Sequence, residues 1–451
     1  MDRGPHVRFV ASALAFGILG GFALAVALPL DDLVRDTRPA SWFEHAQVHG
    51  HLQAVGFAGL FIVGMAYRLM PGFGRRALAL PWLVAPSWWL LAGGVLLRTI
   101  GQPAADHEAF GLTMALGAWA ELAGACCFAA VVAGTSGTAL LRGEPWAAWF
   151  VAGAGWLVLQ GALGAMWLTE LAGDQRSILP GARNEVLLLA QVFGLHVSFV
   201  LGVATRAFVT LFAARTSRLA SLAAPILFEM GLLAWFVAAF AASQGGDAAG
   251  LEDIGLLLAA AGLLVAVGVT GAWRPASRLR DATRPLATGM RLAMLWCAVV
   301  AALLGVAAVR DLGGGGTPGH RELDAARHAI GLGVVTTLIV SMAQMLLPEF
   351  ATERLVRTAG AWRGSLLGWL LTVAAVLRVG AAALAGDLGD AAQWVMALAG
   401  TIALGVMVAF ALLLLRASRG FVPTIELGAS STARGRATID GPPRTEGDAG
   451  G

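Results

Sequence analysis

Twelve separate runs of about 20 apolar residues constrain this 451-residue chain more than any other feature. A helix rises about 1.5 Å per residue, so about 20 residues span the roughly 30 Å hydrocarbon core of a bilayer. The runs fall near 8–30, 43–70, 79–100, 109–136, 146–171, 186–212, 218–243, 250–272, 288–310, 326–348, 363–385 and 391–416. Hydrophobic residues make up 58% of the chain and charged residues only 13%, outside the range of soluble domains. The expected fold is therefore all-α, a polytopic membrane protein of about twelve transmembrane helices in one domain over 1–416. The remaining residues, 417–451, are polar and rich in Gly, Ser and Thr, and read as a disordered tail.

Charge sets the expected orientation. The chain contains no lysine, and its arginines fall 19 to 8 in favour of the side that holds the N-terminus, the even-numbered loops and the tail. Arginine excess marks the cytoplasmic side, so both termini are expected there. The first run lacks a small-residue cleavage pattern and reads as a retained helix, not a signal peptide. The arginines are scattered over short loops, which excludes nucleic acid as a partner; the lipid bilayer is the expected surroundings. Cys126, Cys127 and Cys297 all lie inside apolar runs, against both a disulfide framework and a thiolate zinc site, and no C-x-x-C-H motif exists for covalent haem.

A repeat organises the twelve runs. "HLQAVGFAGLFIVGMAYRLMPGF" from His51 and "HAIGLGVVTTLIVSMAQMLLPEF" from His328 share His, Gly56/Gly333, Gly64/Ser341, an "MA" pair, Pro71/Pro348 and Phe73/Phe350 at identical spacing. "FGLHVSFVLGVATRAFV" supplies a weaker middle copy, in which Gly194, Gly202 and Arg206 align with Gly56, Gly64 and Arg68. The following helices agree: "WLLAGGVLLR", ending at Arg98, matches "WLLTVAAVLR", ending at Arg378. Three four-helix units are expected, at about 1–140, 141–280 and 281–416.

Ionisable side chains in a membrane span are expensive and usually have a partner or a task. Two imidazoles at one depth on different helices suit axial haem ligation, so His51 and His328 are the expected ligands of a b-type haem. Arg98 and Arg378 are the expected partners of its propionates, and Arg310 is a third candidate. Gly56 and Gly333 are expected to line the slot. His45 and His49 are i,i+4 on one helical face and could offer two nitrogens to a copper ion, with His51 on another face. His196 is a further metal candidate or a hydrogen-bonded core histidine. His45 and Arg310 can instead snorkel to headgroups or water. Glu121, Gln160 and Glu229 are buried polar candidates for which structural pairing is expected ahead of a proton relay.

On "HAQVHGHLQAVGFAGLFIVGMAYRLMPGF", "GLHVSFVLGVATRAF" and "ARHAIGLGVVTTLIVSMAQMLLPEF", the chain resembles the NnrS family. That resemblance implies a multi-pass protein of the bacterial inner membrane that contains haem and copper and is associated with denitrification and nitric oxide stress. The three-by-four arrangement also resembles subunit I of the haem-copper oxidases, in which histidines of helices 2 and 10 hold a low-spin haem, as His51 and His328 would. "PILFEMGLLAWFVAAFAAS" lacks the copper-binding histidine pair which that likeness implies on helix 7, and helix 10 carries one histidine in place of two. The leading expectation is a haem protein, with or without copper, that handles nitric oxide or another diatomic ligand beside a respiratory redox partner. An oxidase-related electron-transfer or accessory subunit and a metal-free transporter are the alternatives.

Overall fold

A computed structural model describes residues 4, 6–35, 38–246, 248–279, 284–312, 320–350 and 361–419; the expected tail at 417–451 lies almost wholly outside them. Among the described residues the chain is helical, with twelve helices long and apolar enough to cross a membrane. They are α1 (His6–Val34), α2 (Ala40–Gly74), α3 (Pro81–Ala104), α4 (Glu108–Leu141), α5 (Pro145–Gly173), α6 (Gly181–Leu211), α7 (Arg218–Ser243), α8 (Gly250–Thr270), α9 (Leu286–Arg310), α10 (Arg321–Gln344), α11 (Ser365–Ala383) and α12 (Asp390–Arg416). Each expected run lies largely within one of these helices. Local chemistry sets several ends: Pro145 starts α5 where no helical N–H partner is needed, and Gly271, at φ 66°, stops α8 in the left-handed region.

The three helices that carry the repeated motif form the centre. In α2, α6 and α10, 78%, 83% and 72% of the most apolar stretch is buried, against at most 61% in any other spanning helix. Each widens into a π-helical stretch at the corresponding place: Leu52–Gly59, Leu189–Val197 and Ala329–Thr336. These three stretches touch one another pairwise. His51 and His328 each stand immediately before one, so the sequence repeat and the geometric repeat coincide. π-Helical turns are rare and concentrate at functional sites.

Around this centre the packing repeats three times. α1, α5 and α9 pack on α2, α6 and α10 respectively. α3 pairs with α4, α7 with α8, and α11 with α12, while α4–α5, α8–α9 and α12–α1 contacts join one unit to the next and close the ring. Hydrocarbon gives no hydrophobic drive between helices, so close approach depends on small residues. At the α7–α8 contact a Cβ on Gly255 would stand 2.5 Å from the backbone nitrogen of Trp235, and Gly231 and Gly262 are equally hemmed in by backbone. Gly255→Val should therefore destabilise the protein by about 1–3 kcal/mol through overpacking. Chemical denaturation in detergent measures this, and unchanged stability would contradict so close an α7–α8 contact.

Candidate functional site

His51 is 3% exposed and engaged at both ring nitrogens. Nη1 of Arg98, itself 4% exposed, donates to His51 Nδ1 at 3.0 Å. Arginine has no acceptor, so Nδ1 is the bare nitrogen and the proton sits on Nε2, which donates to Glu121 Oε1 at 2.9 Å. A neutral imidazole thus bridges a guanidinium on α3 and a carboxylate on α4. The chain of bonds continues outward: Arg98 Nε donates to Gln102 at 3.1 Å, Gln102 to Gln47 at 2.9 Å, and Gln47 binds both the N–H and the carbonyl of Leu179. Each of the three buried polar candidates is hydrogen-bonded within the protein. Glu229 accepts from Trp156 and Ser198, and Gln160 accepts from Gln191.

A second cluster gathers where the third unit meets the first. His328 Nδ1 lies 2.9 Å from the Asp324 carbonyl and 3.3 Å from its carboxylate, whose other oxygen accepts from Arg378 at 3.1 Å. Both the first and the third unit therefore build a histidine–arginine–carboxylate group from equivalent histidines and arginines, with the acid supplied from different places. His49, not His51, lies within electrostatic reach of His328, Arg378 and Asp324. Its Nδ1 is 2.8 Å from the Gly21 carbonyl, in a π-helical stretch of α1. Among the described residues neither His49 Nε2 nor His328 Nε2 has a hydrogen-bond partner, and Nη1 of Arg378 is buried without one.

The remaining candidates are placed as follows. His45 is exposed and its Nδ1 lies 2.6 Å from the Ser41 carbonyl. Although it shares a helical face with His49, the two rings are held by different carbonyls. Among the described residues no three His, Cys, Asp or Glu side chains stand together as a metal site. His196 Nε2 donates to the Ala54 carbonyl of α2 at 2.7 Å, tying two central helices together, and its Nδ1 is buried without a partner. Arg310, at the end of α9, pairs with Glu322 near the start of α10. Gly56 and Gly333 do not line an open slot: a Cβ on Gly333 would meet Trp296 at 2.5 Å, and one on Gly56 would press on Phe16 and Val95. They are close-packing positions. Space opens instead at Gly331, where a Cβ would find no atom within 4 Å.

Sequence reasoning did not select Asp324, although its signal was present: an acid one turn ahead of His328 in "RELDAARH".

No family model matches the chain and no curated protein matches it, so the resemblance to the NnrS family has no support from sequence comparison. Solved structures are more informative. The chain is similar to a haem-copper terminal oxidase dimer determined by cryo-electron microscopy, with a TM-score of 0.62 at 11% identity, over 93% of this chain and 84% of that one. The fold is that of a haem-copper oxidase. At this identity the likeness concerns the path of the helices, and the chemistry depends on this chain's own residues.

Removing one member of a buried charge pair leaves the other uncompensated and typically costs about 3–5 kcal/mol, whereas replacing both with apolar residues costs far less. Arg98→Met and Glu121→Leu should each destabilise the protein by about that much, and the double variant by clearly less than their sum. A double-mutant cycle by denaturation in detergent measures this; additive losses would contradict a coupled Arg98–His51–Glu121 group.

Proposed function

We propose that the chain is a multi-pass membrane haem protein that carries electrons, with a b-type haem held between α2 and α10 by His49 and His328. The observation that carries this reading is the pair itself. Two histidines on adjoining central helices, each fixed through Nδ1, have Nε2 without a partner, beside an arginine with a buried unpaired N–H. A carbonyl or carboxylate on Nδ1 fixes ring orientation and raises the basicity of Nε2, the usual support for a metal-binding imidazole. Arg378 would meet a propionate, and the open position at Gly331 suits an apolar macrocycle better than the packed Gly333 does. A haem bound there would supply one-electron redox chemistry.

The repeat adds support. Shifting by 138 and 277 residues aligns His51 with Leu189 and His328, and His49 with Leu187 and Ala326. If each unit meets the next as the third meets the first, the other two junctions pair His51 with Leu187 and Leu189 with Ala326. On that pattern one junction alone would bring two histidines together.

Nitric oxide handling, which the NnrS resemblance implies, needs an open position on iron. Ligation by both His49 and His328 would leave none, so electron transfer to a membrane redox partner is the favoured reading and nitric oxide is the contrasting test. Copper is not part of this reading, since among the described residues no third donor stands with His45 and His49. Transport by alternating access is less favoured because four helices per unit keep all three units in one orientation, with no inverted pair. The arginine asymmetry and the family resemblance favour the bacterial inner membrane with both termini cytoplasmic.

Purified protein should show a Soret band and one iron per chain, reversible on reduction and unshifted by nitric oxide. His49→Ala and His328→Ala should lose the haem, while His51→Ala should keep it at reduced stability. Absorbance spectra with metal analysis decide this. Absence of iron overturns the proposal, and loss of haem in His51→Ala with retention in His49→Ala returns the site to the sequence-level pair.

A further inference from the structure

Besides the π-helical stretches of α2, α6 and α10, the described residues hold a fourth, on α1 at Gly17–Phe22. Packing alone does not account for it. α5 and α9 meet the π-helical stretches of α6 and α10 as α1 meets that of α2, yet both are α-helical throughout. One other position breaks the repeat in the same unit: histidine stands at 49, where the other two units carry Leu187 and Ala326. The two exceptions touch, with His49 Nδ1 2.8 Å from the Gly21 carbonyl.

A carbonyl can only accept, so this bond places the proton on Nδ1 and leaves Nε2 as the bare nitrogen that a metal needs. Glycines allow the approach. A Cβ on Gly17 would stand 2.9 Å from Phe57, one on Gly20 2.5 Å from Leu52 and one on Gly21 2.8 Å from Gln53. Phe57, Leu52 and Gln53 all belong to the π-helical stretch of α2, so the two widened turns seat directly on each other.

We infer that the Gly17–Phe22 stretch is a positioning element for His49, with Gly21 as its positioning residue. It holds one backbone carbonyl on Nδ1 and so fixes the tautomer, orientation and donor strength of Nε2. The consequence for iron rests on the haem reading above: a carbonyl on Nδ1 makes Nε2 the stronger donor, which favours the ferric state.

Gly21→Val is the test, because the three atoms nearest a Cβ there all belong to the Gln53 side chain, and adding Gln53→Ala restores the room. NMR of full-length, histidine-labelled, reduced protein in detergent reads the Nδ1 proton of His49, assigned from His49→Gln, with or without bound haem. It should be hydrogen-bonded in the wild type, lose that bond in Gly21→Val and regain it in the double variant. Haem retention should weaken about 10–100-fold in Gly21→Val and the midpoint potential should rise, both returning in the double variant. A rescue of this kind is not expected of a variant that merely loosens the bundle. A wild-type His49 without a hydrogen-bonded Nδ1 proton overturns the inference whether or not the variants fold, and so does a Gly21→Val protein in which all three readouts are unchanged. A bonded Nδ1 proton that Gly21→Val removes, in protein that binds no haem, upholds the positioning and rejects the haem reading alone.

Discussion

Everything in this molecule depends on three helices packing against one another where no water can help. In hydrocarbon a backbone polar group must be satisfied within the protein, and apolar side chains gain nothing by leaving lipid. α2, α6 and α10 meet that constraint through π-helical stretches that touch pairwise at the centre, with His196 donating to a backbone carbonyl across the α2–α6 contact. The other nine helices form a closed ring around them, joined by glycine-mediated contacts such as α7–α8. The electrostatic groups are built on the same frame. Arg98 and Arg378 come from the equivalent helix of two different units, and each joins a histidine and a carboxylate: Arg98 reaches Glu121 through His51, and Arg378 reaches His328 through Asp324.

Pseudo-threefold order has a consequence for which residues can meet. Around a cyclic axis each unit presents one surface to the unit before it and a different surface to the unit after it, so equivalent residues do not face each other. His51 and His328 are equivalent, each one step before its π-helical stretch, and each turns to the arginine group of its own unit. A first-unit residue beside His328 must therefore be non-equivalent, and His49, half a turn from His51 on the same helix, lies within electrostatic reach of it.

This explains how much could be read from the sequence. The twelve spans were legible because hydropathy over 20 residues is a strong signal, and the three-unit order was legible from "HLQAVGF" against "HAIGLGV" and from the two Leu-Arg helix ends. His328 and Arg378 were legible as ionisable residues within the spans at positions matched by the repeat. The partner of His328 was not, because matched spacing identifies equivalent positions and says nothing about which positions oppose each other across a junction. The role of Gly333 was hidden for a similar reason: only the placement of Trp296 tells a packing glycine from one beside open space. The sequence showed Glu121 as a buried acid, but its partner lies 70 residues away on another helix.

On the function proposed above, the site lies at the junction between the third and first units, and not at the pair of repeat-equivalent histidines. A cryo-electron microscopy map of the purified protein tests it most directly. Planar macrocycle density is expected between α2 and α10, with His49 and His328 holding the iron and Arg378 at a propionate. A map with that junction filled by protein or lipid, or with iron bound to His51, would contradict it.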